Sequence, residues 1–273
     1  MRNHTRSILC VSLMACVLLV SQSATLVAGD CGDVDNSGGV DIDDIVYLIA
    51  YVFQGGPEPD CGVDCPPTVT DYDGNTYFTV KIGEQCWMAQ NLKVTHYRNG
   101  DPIPNVTDDT EWEDLTTGAY CDYNNDEGNV ATYGRLYNWY AVVDSRNIAP
   151  AGWHVPSDDE LKQLEMYLGM SQAEADSAGW RGTDEGGKLK ETGTTHWAPP
   201  NTGATNESGF SALPGGYRVS YGSFGDMGHY AYFWSSTEDS SDGAWYRPLS
   251  YSDSQVGRYL SKRGGFSVRC VKD

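Results

Sequence analysis

The run from Asp33 to Asp44, DVDNSGGVDIDD, places oxygen-bearing side chains at the first, third, fifth, ninth and twelfth positions of one loop: Asp33, Asp35, Ser37, Asp41 and Asp44. Gly38 falls at the sixth position, where such a loop must turn sharply, and Gly39 offers a backbone carbonyl at the seventh. Calcium is a hard cation that takes six to eight oxygens, and alternating carboxylates around a glycine turn suit it. Asp44 is shorter than the glutamate usual at the twelfth position, which weakens a bidentate grip. The competing reading is an acidic turn that solvates a helix start. Ligand spacing, Gly38 and the helix that follows together favour Ca2+.

That helix is legible from its spacing. Ile45, Leu48, Ile49, Val52 and Phe53 recur at helical intervals and make one apolar face. Asp43 and Asp44 sit in its first turn, where negative charge complements the dipole, and Gly55-Gly56-Pro57 stops it. A calcium loop of the EF-hand kind with an exit helix but no entering helix resembles a single type I dockerin repeat. GDVDNSGGVDIDDIVYLIAYVF carries the resemblance over residues 32–56. Dockerins hold two such repeats packed on each other, and this chain shows one. The apolar face is therefore expected to seek another partner: the rest of the chain, a second copy or a foreign protein.

Arg2 and Arg6, the apolar stretch Ile8 to Val20 and the small residues Val27-Ala28-Gly29 read as a signal peptide over residues 1–29. Asp30 precedes Cys31, which argues against lipid attachment. No later stretch is apolar enough to span a bilayer, so a secreted protein is expected. Loss of the signal removes two of the 8 cysteines and leaves Cys31, Cys61, Cys65, Cys86, Cys121 and Cys270. An even number in an exported chain points to disulfides. Cys31 and Cys61 bracket the calcium module, and Cys86 with Cys270, near the ends of the second module, is the next expected pair. Formal net charge is −20, becoming −22 when Arg2 and Arg6 leave with the signal. So acidic a chain excludes nucleic acid and anionic membrane as expected partners.

The modules follow from composition: a calcium half repeat over residues 30–60, a Cys/Pro-rich linker over 61–67, and a domain over 68–273. In the last, Thr68 to Tyr72 and Thr76 to Ile82 flank an Asp73-Gly74 turn and read as a hairpin. SDDELKQLEMYLG is a helix with Ser157 as N-cap, Glu160 completing a capping box and Gly169 closing it. A shorter helix is expected over Gln172 to Ala178, and Phe266 to Lys272 as a strand. YGRLYNWYAVV is apolar and aromatic, either helix or buried strand. Many loops and few long elements give an α+β class.

Seven blocks in order carry a second resemblance: IGEQCWMAQNL, YGRLYNWYAVV, AGWHVPSDDEL, GKLKETGTTHW, ESGFSALPGGYR, YFWSSTE and GFSVRCVKD. Together they resemble the Fibrobacter succinogenes major paralogous domain over nearly all of residues 68–273. More distantly, through GGYR and GFSVRC, the resemblance implies a C-type-lectin-like fold shared with formylglycine-generating enzymes. Ala149 stands where that family often has a cysteine.

No catalytic constellation emerges. An enzyme of the formylglycine-generating kind needs a reactive cysteine pair, and the last third of the chain has Cys270 alone. His96, His154, His196 and His229 show no metal-ligand spacing, and no GxSxG, HExxH or P-loop occurs. Binding is better motivated. Tyr230, Tyr232, Trp234, Trp245, Tyr246 and Tyr251 cluster among serines and aspartates and offer flat faces for sugar rings. Core packing is the plainer reading of Trp87, Trp139 and Trp153, and by a smaller margin of the Tyr230–Tyr251 group as well. The expectation is a non-catalytic, extracellular binding or attachment protein, with glycan as one ligand class. An accessory role in polysaccharide degradation, or a purely structural surface role, is the alternative.

Overall fold

The computed structural model describes residues 64–241 and 243–273, together with the helical positions 42, 45, 46, 49, 50 and 53. The chain divides into two units, Met1–Gly62 and Val63–Asp273, each taken by itself.

The second unit is α+β. Its first strands are β1 (Thr68–Thr70), β2 (Thr76–Ile82) and β3 (Gln85–Met88), with β4 (Tyr120–Cys121), β5 (Leu136–Tyr137) and β6 (Trp153–His154) following. Then come β7 (Gly179–Arg181), β8 (Gly215–Arg218), β9 (Phe224–Met227) and β10 (Tyr230–Ser240). The last three are β11 (Gly243–Ser250), β12 (Val256–Ser261) and β13 (Val271–Lys272). One sheet runs β1-β2-β3-β13-β6 and joins the two ends of the domain; a second runs β10-β11-β12-β7. The expected opening hairpin is present, with Thr68 opposite Phe78. Gly74, at φ +85°, takes the left-handed turn that a Cβ would disfavour.

The ten-residue helix Asp158–Tyr167 forms where its capping box predicts: Ser157 accepts from the Glu160 amide and the Glu160 carboxylate returns to the Ser157 amide. Leu161 and Leu164 are buried against Phe233, Leu249 and Val256 of the second sheet. A second capping box, Ser171 with Glu174, starts the short helix Gln172–Asp176. The ambiguous aromatic stretch is divided: helix Val130–Tyr133, strand β5, then helix Trp139–Val142. Its break is Gly134, at φ +74°. The expected C-terminal strand is shortened to Val271–Lys272. Trp87, Trp139 and Trp153 are core residues, as expected.

The cysteine pairing differs from expectation. Cys86 is bonded to Cys65, and Cys270 is a buried free thiol, as is Cys121. Val271 lies opposite Trp87, which sets Cys270 across from Met88 and not Cys86. The residues before β1 run along β2, where the Thr79 amide donates to Pro67, and this carries Cys65 to Cys86. Burial pushes the Cys121 thiol up to about 12. Cys31 and Cys61 lie outside the described residues.

Lys190 is fully buried without a carboxylate. Its ammonium donates to the carbonyls of Thr202 (2.9 Å), Ser250 (2.7 Å) and Asp253 (2.7 Å), gathering two loops around one charge. Burial lowers its pKa to about 8.

Candidate functional site

The second sheet positions the aromatic side chains. Along a strand, alternate residues face opposite sides. Tyr246 lies opposite both Trp234 on β10 and Tyr259 on β12, and Gly257 lies opposite Trp180 on β7. Tyr230, Tyr232, Trp234, Tyr246, Tyr259 and Trp180 therefore rise from one face.

Their rings form a row. Trp180 to Tyr259 is 6.2 Å between centroids, Tyr259 to Tyr246 6.2 Å, and Tyr246 to Tyr232 6.1 Å. Tyr232 to Tyr230 is 5.8 Å with the rings within 28° of parallel; Tyr230 to Tyr251 is 6.4 Å and Tyr251 to His229 4.9 Å. Tyr217 on β8 lies beside Tyr232 at 4.8 Å. The five tyrosines of the row are half-buried, and its ends, Trp180 and His229, are exposed. Phe266 supports the inner side, 4.6 Å from the Tyr246 ring and 5.3 Å from that of Tyr232. The Tyr232 hydroxyl donates to Asp226 at 2.9 Å. Burial, then that bond, pushes the Tyr232 phenol up; burial does the same for Tyr246 and Tyr217. These phenols stay neutral; the Tyr232 proton is committed to Asp226, while Tyr246 and Tyr217 keep one to donate. A line of partly open rings with neutral hydroxyls can stack on apolar ring faces and bond to hydroxyls beside them.

Four of the six aromatics read from the sequence belong to the row: Tyr230, Tyr232, Tyr246 and Tyr251. Trp234 shares the face but is completely buried, its indole N–H donating to the Tyr137 carbonyl at 2.7 Å. Trp245 is on the other face, with the Arg258 guanidinium 3.4 Å above its ring. Both are corrections to their reading as ligand-facing residues. Tyr259, Tyr217 and Trp180 were missed. Tyr259 follows the alternation V-G-R-Y-L-S and was open to the same argument; Trp180 reaches the row only through the long-range pairing of β7 with β12.

The opposite face packs on the ten-residue helix and holds a buried ionic cluster. Asp158 and Glu165, on the ten-residue helix, meet Arg181, Arg247 and Arg258 from β7, β11 and β12. Arg258 reaches Asp158 at 2.7 Å, Arg247 reaches Asp158 at 2.8 Å and Glu165 at 2.6 Å, and Arg181 pairs with Glu165. Burial alone would raise the Asp158 carboxyl, but Arg258 and Arg247 outweigh it and hold it down at about 2.

The histidines stand apart from one another, each with its own partner. His96 meets Asp73, His196 meets Glu191, and His229 faces the Met227 carbonyl. His154 bridges two carboxylates, Glu160 at 2.7 Å and Asp273 at 2.6 Å. Among the described residues no three of His, Cys, Asp and Glu converge as metal ligands.

The calcium-loop residues Asp33, Asp35, Ser37, Gly39, Asp41 and Asp44 lie outside the described residues, as do Leu48 and Val52. Of the apolar face, Ile45, Ile49 and Phe53 are helical and 51%, 42% and 80% exposed. Ile42 and Val46 extend it, 68% and 57% exposed. Among the described residues no helix is long and apolar enough to cross a membrane.

No curated protein and no solved structure matches the chain. The family model described as the Fibrobacter succinogenes major domain matches residues 80–272, which takes in both sheets from β3 onward, the ten-residue helix and the whole aromatic row. The chain belongs to the Fibrobacter succinogenes major domain family.

Proposed function

We propose that this is a secreted, non-catalytic binding protein whose C-terminal domain holds glycan chains along the aromatic row. One observation carries the reading: neighbouring rings from Trp180 to Tyr251 follow one another along one face of a four-stranded sheet and its edge at 5.8–6.4 Å, partly open, with Phe266 behind Tyr232 and Tyr246. Rings backed by a core surrender little freedom on binding, which favours stacking over adjustable polar contacts. The loop-rich α+β frame fits the C-type-lectin-like class implied by the sequence resemblance. An accessory role in polysaccharide breakdown would use the same contact beside an enzyme.

Affinity electrophoresis of the protein through gels holding β-glucan, xylan, mannan or chitin fragments tests this. Retardation by at least one polymer, reduced about tenfold in apparent affinity for Trp180→Ala with Tyr259→Ala, is the expected result, since stacking of this kind contributes on the order of 1–2 kcal/mol. Unretarded migration in every gel removes the reading.

The N-terminal module supplies attachment in this reading. Without Ca2+, Asp33, Asp35, Asp41 and Asp44 repel one another. The ion neutralises them, fixes the loop with Ser37 and the Gly39 carbonyl, and starts the dockerin-like helix that presents Ile45, Leu48, Ile49, Val52 and Phe53 to a partner protein or a second copy. The exposure of Ile45, Ile49 and Phe53 supports this. Far-ultraviolet circular dichroism should gain helical signal on adding Ca2+, and Asp33→Ala with Asp44→Ala should lose that gain. An unchanged response in the double variant would sink the calcium reading.

A further inference from the structure

Beyond Tyr259 the same sheet face runs into a cleft of 450 Å³ lined by Tyr140, Ser220, Ser241, Ser261, Lys262 and Arg263. That is the volume of a small-ligand site. Ser261 follows Tyr259 by two residues on β12 and lies opposite Ala244, as Tyr259 lies opposite Tyr246, so its side chain rises from the face of the row. A polymer stacked on Tyr246 and Tyr259 is led into the cleft.

The lining is cationic in a chain with 38 acidic and 18 basic residues. Lys262 is already held: its ammonium pairs with Glu238, donates to the Ser241 carbonyl at 2.8 Å and sits 4.6 Å over the Trp139 ring. Arg263 is different. It is exposed and forms no ion pair among the described residues. Four hydroxyl-bearing residues line the cleft with it, Tyr140, Ser220, Ser241 and Ser261. A guanidinium fork matches a planar carboxylate through two parallel N–H bonds, and hydroxyls match the oxygens of a sugar.

We infer that this cleft takes the carboxylate of a uronic acid residue borne by the glycan that lies on the row, an inference that rests on the glycan reading above. Arg263 is the carboxylate ligand and the hydroxyls are the sugar ligands. The net charge of −20 opposes a dense polyanion, so the fitting polymer carries its uronates sparsely.

Isothermal titration of the purified protein with a glucuronoxylan, and with the same polymer after reduction of its carboxyls to alcohols, tests the assignment. The uronate form should bind about tenfold more tightly, the scale of one charge-assisted contact. Arg263→Gln should erase that preference and leave the affinity for the reduced polymer unchanged. Equal affinity of the wild type for both polymers overturns the cleft assignment and leaves the glycan reading standing. A preference that survives in Arg263→Gln overturns it as well. Failure to bind either polymer, together with unretarded migration in every gel of the neutral panel, removes the glycan reading and this inference with it.

Discussion

Neighbouring residues on three strands of the second sheet are sent to opposite tasks. Trp180 and Arg181, Tyr246 and Arg247, and Arg258 and Tyr259 are each adjacent in sequence, yet one of each pair joins the aromatic row and the other the buried ionic cluster. The ionic face fixes the sheet to the helix Asp158–Tyr167: three guanidiniums share two carboxylates, in a setting where an unpaired charge is very unfavourable. The aromatic face leaves the rings of the row, though not Trp234, partly open to solvent. Charge pairing lies on one side of the sheet and the row of partly open rings on the other, with the period of a strand as the only separator.

The largest effect should come from breaking the ionic side. Glu165→Ala leaves Arg181 and Arg247 facing each other without the carboxylate between them, and should lower unfolding free energy by about 3–5 kcal/mol in urea titrations. A loss below about 1 kcal/mol would show that the cluster does not anchor the helix. On the other face, the Trp180→Ala and Tyr259→Ala pair should do the reverse, keeping most of the stability and losing glycan retention.

Acid should act on the ionic side next. Asp158 and Glu160 both have carboxyls held down at about 2. For Glu160, His154 and Ser157 outweigh the effect of burial. In the unfolded chain these groups take up protons at 3.8 and 4.5. Their stabilisation is complete above that range and is lost as pH falls towards 2, because the unfolded chain then binds more protons than the folded one. Urea midpoints measured between pH 5 and pH 2 should fall steadily, and Asp158→Asn should flatten the slope.

The smallest effect lies at the end of the chain. Hydrogen bonding to Glu160 raises the His154 pKa to about 9, burial opposing it and Asp273 adding to it, from 6.5 in the unfolded chain. A raised histidine pKa stabilises fully below 6.5, and that contribution disappears as pH climbs through 9. His154→Gln should remove this alkaline decline, read as thermal midpoints from pH 6 to pH 9.5. Since His154 is a third exposed, solvent screening keeps the effect modest.

How much of this could be read beforehand depended on whether the signal was local. The Ser157–Glu160 capping box spans four residues and the Asp73-Gly74 hairpin fifteen, and both appear where their residues place them. Tyr230, Tyr232 and Tyr246 were legible as a cluster because β10 and β11 are consecutive. Trp245 was counted with Tyr246, although adjacent residues of a strand cannot share a face; the alternation separates them, and only Arg258 shows which side is closed. Trp180 needed a pairing across more than seventy residues. Cys270 was the expected partner of Cys86 because the two lie near the ends of the module, but the pairing is decided by how the residues before β1 lie along β2. Arg181, Arg247 and Arg258 carried no local signal, because their carboxylate partners Asp158 and Glu165 come from a helix elsewhere in the sequence.

Lys190 gives the C-terminal domain a cation that no chelator can remove. Where loops converge with their carbonyls inward, a dissolved ion is one way to hold them; here the ammonium of Lys190 is tethered to the chain and bonded to Thr202, Ser250 and Asp253. Treatment with EDTA should therefore leave the second unit folded, whatever it does to the calcium loop proposed at Asp33–Asp44. On the proposed reading, calcium-poor water would loosen only the N-terminal loop, and the tethered ammonium of Lys190 would make the C-terminal loops indifferent to the ion.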